Sequence, residues 1–178
     1  MNADRNKYAG RFLTALFFAA SLVSIDQITK ILAGIHLKQK LPVTLIPDIL
    51  ELYYLYPENK GIAFGLLQGK TFFFAVVCFI LLFLFCLVYL KVPSTNYYRY
   101  FRVSLLVLAA GACGNLIDRC FRGYVIDFIY ISCIDFPVFN IADIFVVCSG
   151  IVLTLLLLFY YKEEDFDFLI NRESRKRK

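Results

Sequence analysis

Four aspartates lie within or beside long apolar stretches of this chain, where a charge is costly. They are Asp26, Asp118, Asp127 and Asp143. A charge at the centre of a bilayer costs about 2.5–3.5 kcal/mol on insertion scales, so such residues are usually paired or functional. The sequence around each acid indicates which of these roles it suits.

Asp127 and Asp143 are the best candidates for chemistry. Asp127 lies in YVIDFIYI, with apolar neighbours and no cation nearby in sequence, so burial should raise its pKa. Asp143 lies in FNIADIF, in the predicted first turn of a helix, where the helix dipole favours the charged form. Two acids in such different environments suit general acid and base catalysis of the aspartic-protease kind, if the fold brings them together. Helix-end caps and a proton pathway are the alternatives.

Asp26 and Asp118 suit supporting roles better. Lys30 follows Asp26 by four residues, a spacing that lets the two charges neutralise each other on one helix. Asp118 is next to Arg119, and a neighbouring cation favours the ionised carboxylate. We therefore predict that Asp118 holds Arg119, which faces the substrate or the two acids.

Three asparagines are predicted at the same level as these acids: Asn59, Asn115 and Asn140. Their amides offer both donors and acceptors, which could hold an extended peptide backbone. Each of them alone is as readily a helix cap or a turn residue.

The chain that positions these residues has 178 residues, which favours one domain, and 60% of them are hydrophobic. A soluble domain of this size could not bury so much apolar surface. Four apolar stretches approach the length of about 20 residues that spans a bilayer. We predict a mainly α membrane protein with four transmembrane helices, the third being the shortest. Their approximate bounds are 12–35, 71–92, 101–118 and 141–161.

Basic residues lie before the first stretch, between the second and third, and after the fourth. The positive-inside rule places these three segments in the cytoplasm, including both termini and a basic tail at 162–178. This distribution accounts for the net charge of +5, so the charge does not indicate nucleic-acid binding. The basic tail suits contact with membrane lipids. The candidate polar residues then gather at the outer membrane interface, which argues against a proton pathway through the bilayer. A structural subunit without catalysis would not need two isolated acids.

The two remaining segments, near 36–70 and 119–140, are predicted to be extracytoplasmic. Prolines and β-type apolar residues in the first predict a small β-cradle on the membrane surface. The second is more apolar than an ordinary loop and predicts a short interfacial amphipathic segment. Cys120 and Cys133 also fall on this side, and a disulfide between them stays open because spacing alone does not establish geometry.

Five stretches, in order along the chain, resemble the bacterial lipoprotein signal peptidases (signal peptidase II). They are DQITK at 26–30, NKGIAF at 59–64, GNLIDR at 114–119, VIDF at 125–128 and FNIAD at 139–143. The resemblance implies an aspartic endopeptidase of the bacterial inner membrane. Such an enzyme removes the signal peptide of a prolipoprotein on the N-terminal side of a diacylglyceryl-modified cysteine.

The same resemblance implies roles for particular residues. It makes Asp127 and Asp143 the catalytic dyad. The residues that would line the substrate groove or support the dyad are Asn59, Asn115, Arg119, Asn140, Asp118, Asp26 and Lys30. It also implies a monomer in contact with lipid, no metal, no organic cofactor, and inhibition by the cyclic peptide globomycin.

Overall fold

The structure, a computed structural model, describes residues 2–59 and 71–170. Four long helices make up most of this part of the chain. They are α1 (Asn2–His36), α2 (Thr71–Lys91), α3 (Arg99–Phe121) and α4 (Ile141–Phe159). Among the described residues, four stretches are long and apolar enough to cross a membrane, which confirms the predicted four-helix class: Gly10–His36, Thr71–Lys91, Asn96–Phe121 and Ile141–Phe159.

The third span is longer than its predicted range of 101–118. Its helix continues to Phe121, and the backbone N–H of Arg122 closes the last turn on the carbonyl of Asp118 at 2.8 Å. The charged residues near this end find partners inside the bundle, so they do not terminate the helix.

Large apolar side chains cover the outer faces of these helices. Phe17, Phe72 and Phe159 are 76%, 83% and 81% exposed. Surface of this kind is stable in lipid and would cause association in water. The protein is therefore a multi-pass membrane protein.

α3 packs against each of the other three long helices, and two of its glycines lie at close contacts, one with α4 and one with α1. A Cβ atom on Gly111 would lie 2.5 Å from the carbonyl oxygen of Ala142, and one on Gly114 would lie 2.4 Å from Oδ2 of Asp26. Small residues let helix backbones approach closely in membranes. Gly114 thereby leaves the space that the Asp26 carboxylate occupies.

A four-stranded antiparallel sheet lies beside one end of the helices, in the order β1-β2-β3-β4. Its strands are β1 (Val43–Ile46), β2 (Leu50–Leu52), β3 (Ile129–Ile131) and β4 (Phe136–Phe139). The first two strands are the predicted cradle. The last two replace the interfacial amphipathic segment that we expected within 119–140. The pairing of β3 with β2, and of β4 with β3, satisfies backbone groups that a separate segment would leave to water. Cys120 and Cys133 are free and exposed.

Beyond α4 the chain folds back onto the end of the bundle opposite the sheet. A 3₁₀ turn (Glu163–Phe166) leads into the short helix α5 (Asp167–Ile170). Asp165 accepts hydrogen bonds from the hydroxyls of Tyr97 (2.8 Å, at its carboxylate) and Tyr98 (2.7 Å, at its backbone carbonyl). Part of the predicted basic tail is thus a packed, acidic turn. Residues 171–178, with most of the predicted basic charges, lie outside the described residues.

Candidate active site

Asp127 lies in an extended segment that is paired on both sides. On one side, the N–H of Leu55 donates to the carbonyl of Asp127 (3.1 Å), and the N–H of Val125 donates to that of Asn59 (2.9 Å). On the other side, the N–H of Phe128 donates to the carbonyl of Phe139 at 3.0 Å. This backbone pairing places Asn59 and the residue after β4, Asn140, on either side of Asp127.

The Asp127 carboxylate is 3% exposed and accepts a hydrogen bond at each oxygen. Nδ2 of Asn59 donates to Oδ2 at 2.8 Å, and Nδ2 of Asn140 donates to Oδ1 at 2.7 Å. Burial, and after it the negative charge of Asp143, raise the pKa of Asp127 to about 6, although both amide donors oppose this shift. A raised pKa for Asp127 agrees with the prediction from its apolar neighbours in the sequence.

Asp143 is the third residue of α4 and belongs to its N-terminal cap. Oδ1 of Asn140 accepts from the N–H of Asp143 (3.0 Å), and Oδ2 of Asp143 accepts from the N–H of Asn140 (3.2 Å). This reciprocal capping box satisfies two backbone N–H groups that a helix start otherwise leaves without partners. Nδ2 of Asn115 donates to the other oxygen, Oδ1 of Asp143, at 2.7 Å.

Asn140 links the two acids. Its Nδ2 donates both to Asp127 and, at 3.2 Å, to Oδ1 of Asn115. Asn115 in turn donates to Asp143, so two amides form a continuous hydrogen-bonded path between the carboxylates. Because the Asn140 side chain is fully buried, its rotamer is held by packing as well as by these bonds.

Lys30 is a fully buried ammonium with three acceptors. Oδ2 of Asp26 and Oδ2 of Asp118 both lie 2.9 Å from Nζ, and Oδ1 of Asn115 lies at 3.0 Å. Three acceptors match the three N–H donors of an ammonium, so the charge is both neutralised and hydrogen-bonded. The predicted Asp26–Lys30 pair is confirmed, and Lys30 also donates a hydrogen bond to Asn115.

Each of the two acids in this cluster also accepts a hydrogen bond from the backbone of another element. Oδ1 of Asp26 accepts from the N–H of Ala142 at 2.9 Å, which fixes α1 to the first turn of α4, where a negative charge is favourable. Oδ2 of Asp118 accepts from the N–H of Ile126 at 3.3 Å, in the segment that carries Asp127.

The prediction that Asp118 holds Arg119 is wrong. Its ion pairs go to Lys30 and to Arg122, since residues four apart face each other on a helix and adjacent residues do not. Arg119 instead donates to the carbonyl of Asn115 (3.1 Å), and its guanidinium lies 6.0 Å from the ring centre of Phe74. Arg119 therefore remains next to the asparagine that contacts Asp143.

Gln27 is a site residue that the sequence analysis missed. Its Nε2 donates to Oδ2 of Asp26 (3.1 Å) and to Oδ1 of Asp118 (3.3 Å), and its Oε1 accepts from Arg122 (2.9 Å). Its place inside the stretch DQITK was the available signal. In the stretch 59–64 only Asn59 is described, and the other five residues lie outside the described part of the chain.

The structure thus joins all of the predicted site residues into one hydrogen-bonded group at the sheet end of the bundle. Their assignment as catalytic and supporting residues stays a prediction. Two carboxylates with different partners, linked by neutral amides, can exchange protons with a bound water and a substrate carbonyl.

The raised pKa of Asp127 gives a pH dependence with a defined sign. Asp127 keeps its proton below about pH 6 and loses it above. If its protonated form is the general acid, kcat/KM for a substrate declines as pH rises through about 6. The apparent pKa of this decline belongs to the coupled pair of carboxyl groups and not to Asp127 alone. Because the Asn59 amide favours the ionised form, Asn59→Ala should move this limb to higher pH. A pH profile that is identical in both proteins contradicts the assignment.

Four spanning helices and a buried aspartate pair at one end are the features of a membrane-embedded aspartic peptidase. The family model for signal peptidase (SPase) II matches residues 18–159. The chain belongs to the signal peptidase II family.

Relatives with curated names and solved structures agree with this membership. The chain is similar to the lipoprotein signal peptidase of Caldanaerobacter subterraneus subsp. tengcongensis, with 41% identity over 82% of this chain and 96% of that one. The lipoprotein signal peptidase of Streptococcus pyogenes serotype M1 is 36% identical over 82% of this chain and 91% of its own length. A solved bacterial membrane enzyme superposes with a TM-score of 0.73 at 34% identity, covering 84% of this chain and 92% of that one.

Proposed function

We propose that this peptidase removes signal peptides from prolipoproteins by cutting on the N-terminal side of a diacylglyceryl-modified cysteine, with Asp127 and Asp143 as the catalytic dyad. Family membership supports cleavage of the signal peptide from prolipoproteins. The observation that carries the residue assignment is the amide path from Asp127 through Asn140 and Asn115 to Asp143. It holds two acids in fixed orientations without neutralising either by a direct ion pair among the described residues.

In this mechanism the dyad shares one proton and binds the attacking water. The ionised carboxylate takes a proton from the water as its oxygen bonds to the scissile carbonyl carbon, and the protonated one, in our assignment Asp127, donates to the carbonyl oxygen. When the tetrahedral intermediate collapses, one of its hydroxyls returns its proton to the dyad as the C=O bond re-forms, the C–N bond breaks, and the leaving nitrogen takes a proton from the dyad. The two products are a carboxylic acid and an amine, and the dyad returns to one shared proton.

The position of the acids suits a substrate that is attached to lipid. They lie at the end of the spanning helices, next to the sheet. Apolar side chains are exposed on β1 and on the loop before it, among them Leu41, which is 87% exposed, and Leu45, which is 53% exposed. The acyl chains of the substrate can therefore stay in the bilayer while water reaches the peptide bond. The substrate backbone must be extended there, since a helix would keep its amides hydrogen-bonded internally.

Cleavage of two matched precursors tests this proposal. The purified full chain is incubated with a diacylglyceryl-modified prolipoprotein and, in parallel, with the same precursor lacking the lipid. We expect cleavage of the modified precursor only, with a new N-terminus at the modified cysteine by mass spectrometry. Equal cleavage of both would contradict the proposed substrate class, and cleavage at another bond would contradict the proposed position.

We further propose that the protein is a monomer of the bacterial inner membrane with both termini in the cytoplasm and the acids at the outer face. The basic residues at the end of α2 and in the first turn of α3, which are Lys91, Arg99 and Arg102, and the basic C-terminal residues support this orientation. A reporter that is active only in the cytoplasm should then be active when fused to the C-terminus, and a periplasmic reporter at the same place should be inactive. An active periplasmic reporter at that end would refute the orientation.

A further inference from the structure

A basic cavity of about 340 Å³ lies between α1, α2 and α3, at the end of the bundle opposite the acids. Arg11, Arg99 and Arg102 line it together with Tyr89 of α2. The cavity therefore shares no residue with the proposed active site, and nothing in peptide hydrolysis requires it.

The walls of this cavity change from basic to apolar along the helices. On α1, Arg11 is followed seven residues later by Phe18, and on α3, Arg99 is followed seven residues later by Leu106, all lining the cavity. Seven residues of helix advance about 10 Å. Because α1 and α3 both run from this end towards the sheet, the apolar walls lie deeper in the bilayer than the guanidinium groups.

Within the described part of the chain, no carboxylate forms an ion pair with any of the three arginines. Arg11 donates to the carbonyl of Ser94 (3.2 Å), and Arg102 donates to the carbonyls of Pro93 and of Thr95 (3.0 Å). A guanidinium has five N–H donors, so these bonds fix its position and leave donors for an anion. Three cations lining one cavity at the membrane surface favour a negatively charged occupant.

We propose that this cavity binds one anionic phospholipid, with its phosphate at the arginines and an acyl chain along Phe18 and Leu106. The phosphate chemistry alone would also fit a free phosphate ion. A free ion, however, would use only the basic end, whereas a phospholipid matches the whole gradient from charge to hydrocarbon. Basic pockets between transmembrane helices have the features that recognise lipid headgroups.

Lipid binding to the purified full chain in neutral detergent tests this proposal. The protein is titrated with three ligands, and binding is followed by native mass spectrometry. The ligands are dioleoyl phosphatidylglycerol, dioleoyl phosphatidylcholine and glycerol phosphate. Phosphatidylcholine has the same acyl chains without a net charge, and glycerol phosphate is the soluble headgroup. We expect one phosphatidylglycerol bound in preference to phosphatidylcholine. The double variant Arg11→Gln/Arg99→Gln should bind it about 30-fold more weakly, given the usual contribution of a basic residue near an anionic lipid.

The matched control is Lys91→Gln/Lys162→Gln, which removes two charges at the same end from residues that do not line the cavity. It should keep the affinity of the unchanged protein. Leu106→Trp, which fills the cavity without altering its charge, should also lower phosphatidylglycerol binding and remains informative if the double arginine variant does not fold. Equal losses in both double variants would show diffuse surface attraction and overturn the proposal. Competition by glycerol phosphate at the concentration at which phosphatidylglycerol binds would show a free-anion site and overturn it as well.

Discussion

Asparagine in place of Asp127 or Asp143 is expected to lower turnover of a lipid-modified precursor by about 10²–10⁴-fold, the usual contribution of a positioned general acid or base. The amide keeps the shape of the carboxyl group, but it neither takes a proton from water nor donates one to a carbonyl. Each variant should stay folded in the membrane, because the neighbouring amides of Asn59, Asn115 and Asn140 can still bond to the remaining oxygen. The measurement is the initial rate of precursor cleavage at equal amounts of purified protein.

Two further variants define the specificity of this result. Asp135→Asn makes the same substitution at an exposed acid between β3 and β4, where its partner is the Tyr130 hydroxyl, and it should keep full activity. Asp118→Asn should reduce activity or stability without removing all turnover. Full turnover by either dyad variant would refute the dyad, and an equal loss at Asp118 with intact folding would place the chemistry elsewhere.

Methionine in place of Lys30 is expected to destabilise the fold by about 3–5 kcal/mol, the cost of removing one partner from a buried ion pair. Methionine has nearly the same length, but it leaves the fully buried carboxylates of Asp26 and Asp118 without their shared ammonium. Asn115 loses one of the two donors to its Oδ1 in the same change, so activity should fall as well. The free energy of unfolding in detergent micelles gives the direct measurement.

Lys38→Met is the matched control for this prediction. Lys38 pairs with Glu58 at 3.1 Å, but its side chain is 38% exposed, and exposed pairs contribute little to stability. Combining Lys30→Met with Asp26→Asn and Asp118→Asn should recover part of the lost stability, because the buried charges are then removed together. Equal stability of the Lys30 and Lys38 variants would mean that the buried cluster does not support the fold.

The sequence predicts those features that depend on residues close together in the chain. The spans follow from the lengths of the apolar stretches, and the Asp26–Lys30 pair follows from its spacing. Residue type and apolar surroundings also single out Asp127, whose burial the structure bears out.

Features that depend on distant residues were not predictable in the same way. β3 was missed because its pairing partner β2 lies on the other side of two spans, and no local pattern contains that register. The contact of Asp118 with Lys30 was not predictable because Lys30 belongs to another helix, whereas its pair with Arg122, four residues further on, could have been predicted from the spacing. Gln27 was overlooked since its contacts with Asp118 and Arg122 exist only after α1 and α3 have packed.

The buried charge cluster has a consequence for how the chain enters the membrane during synthesis. α1 is made before α3, so for a time Asp26 and Lys30 have only each other as partners. Their spacing of four residues lets α1 enter lipid as a neutral segment, and Asp118 and Arg122 have the same spacing at the C-terminal end of α3. Each helix therefore carries its own counter-charge to the insertion machinery. The contact between Lys30 and Asp118 forms only when the two inserted helices meet, so assembly of the site is coupled to their association within the bilayer.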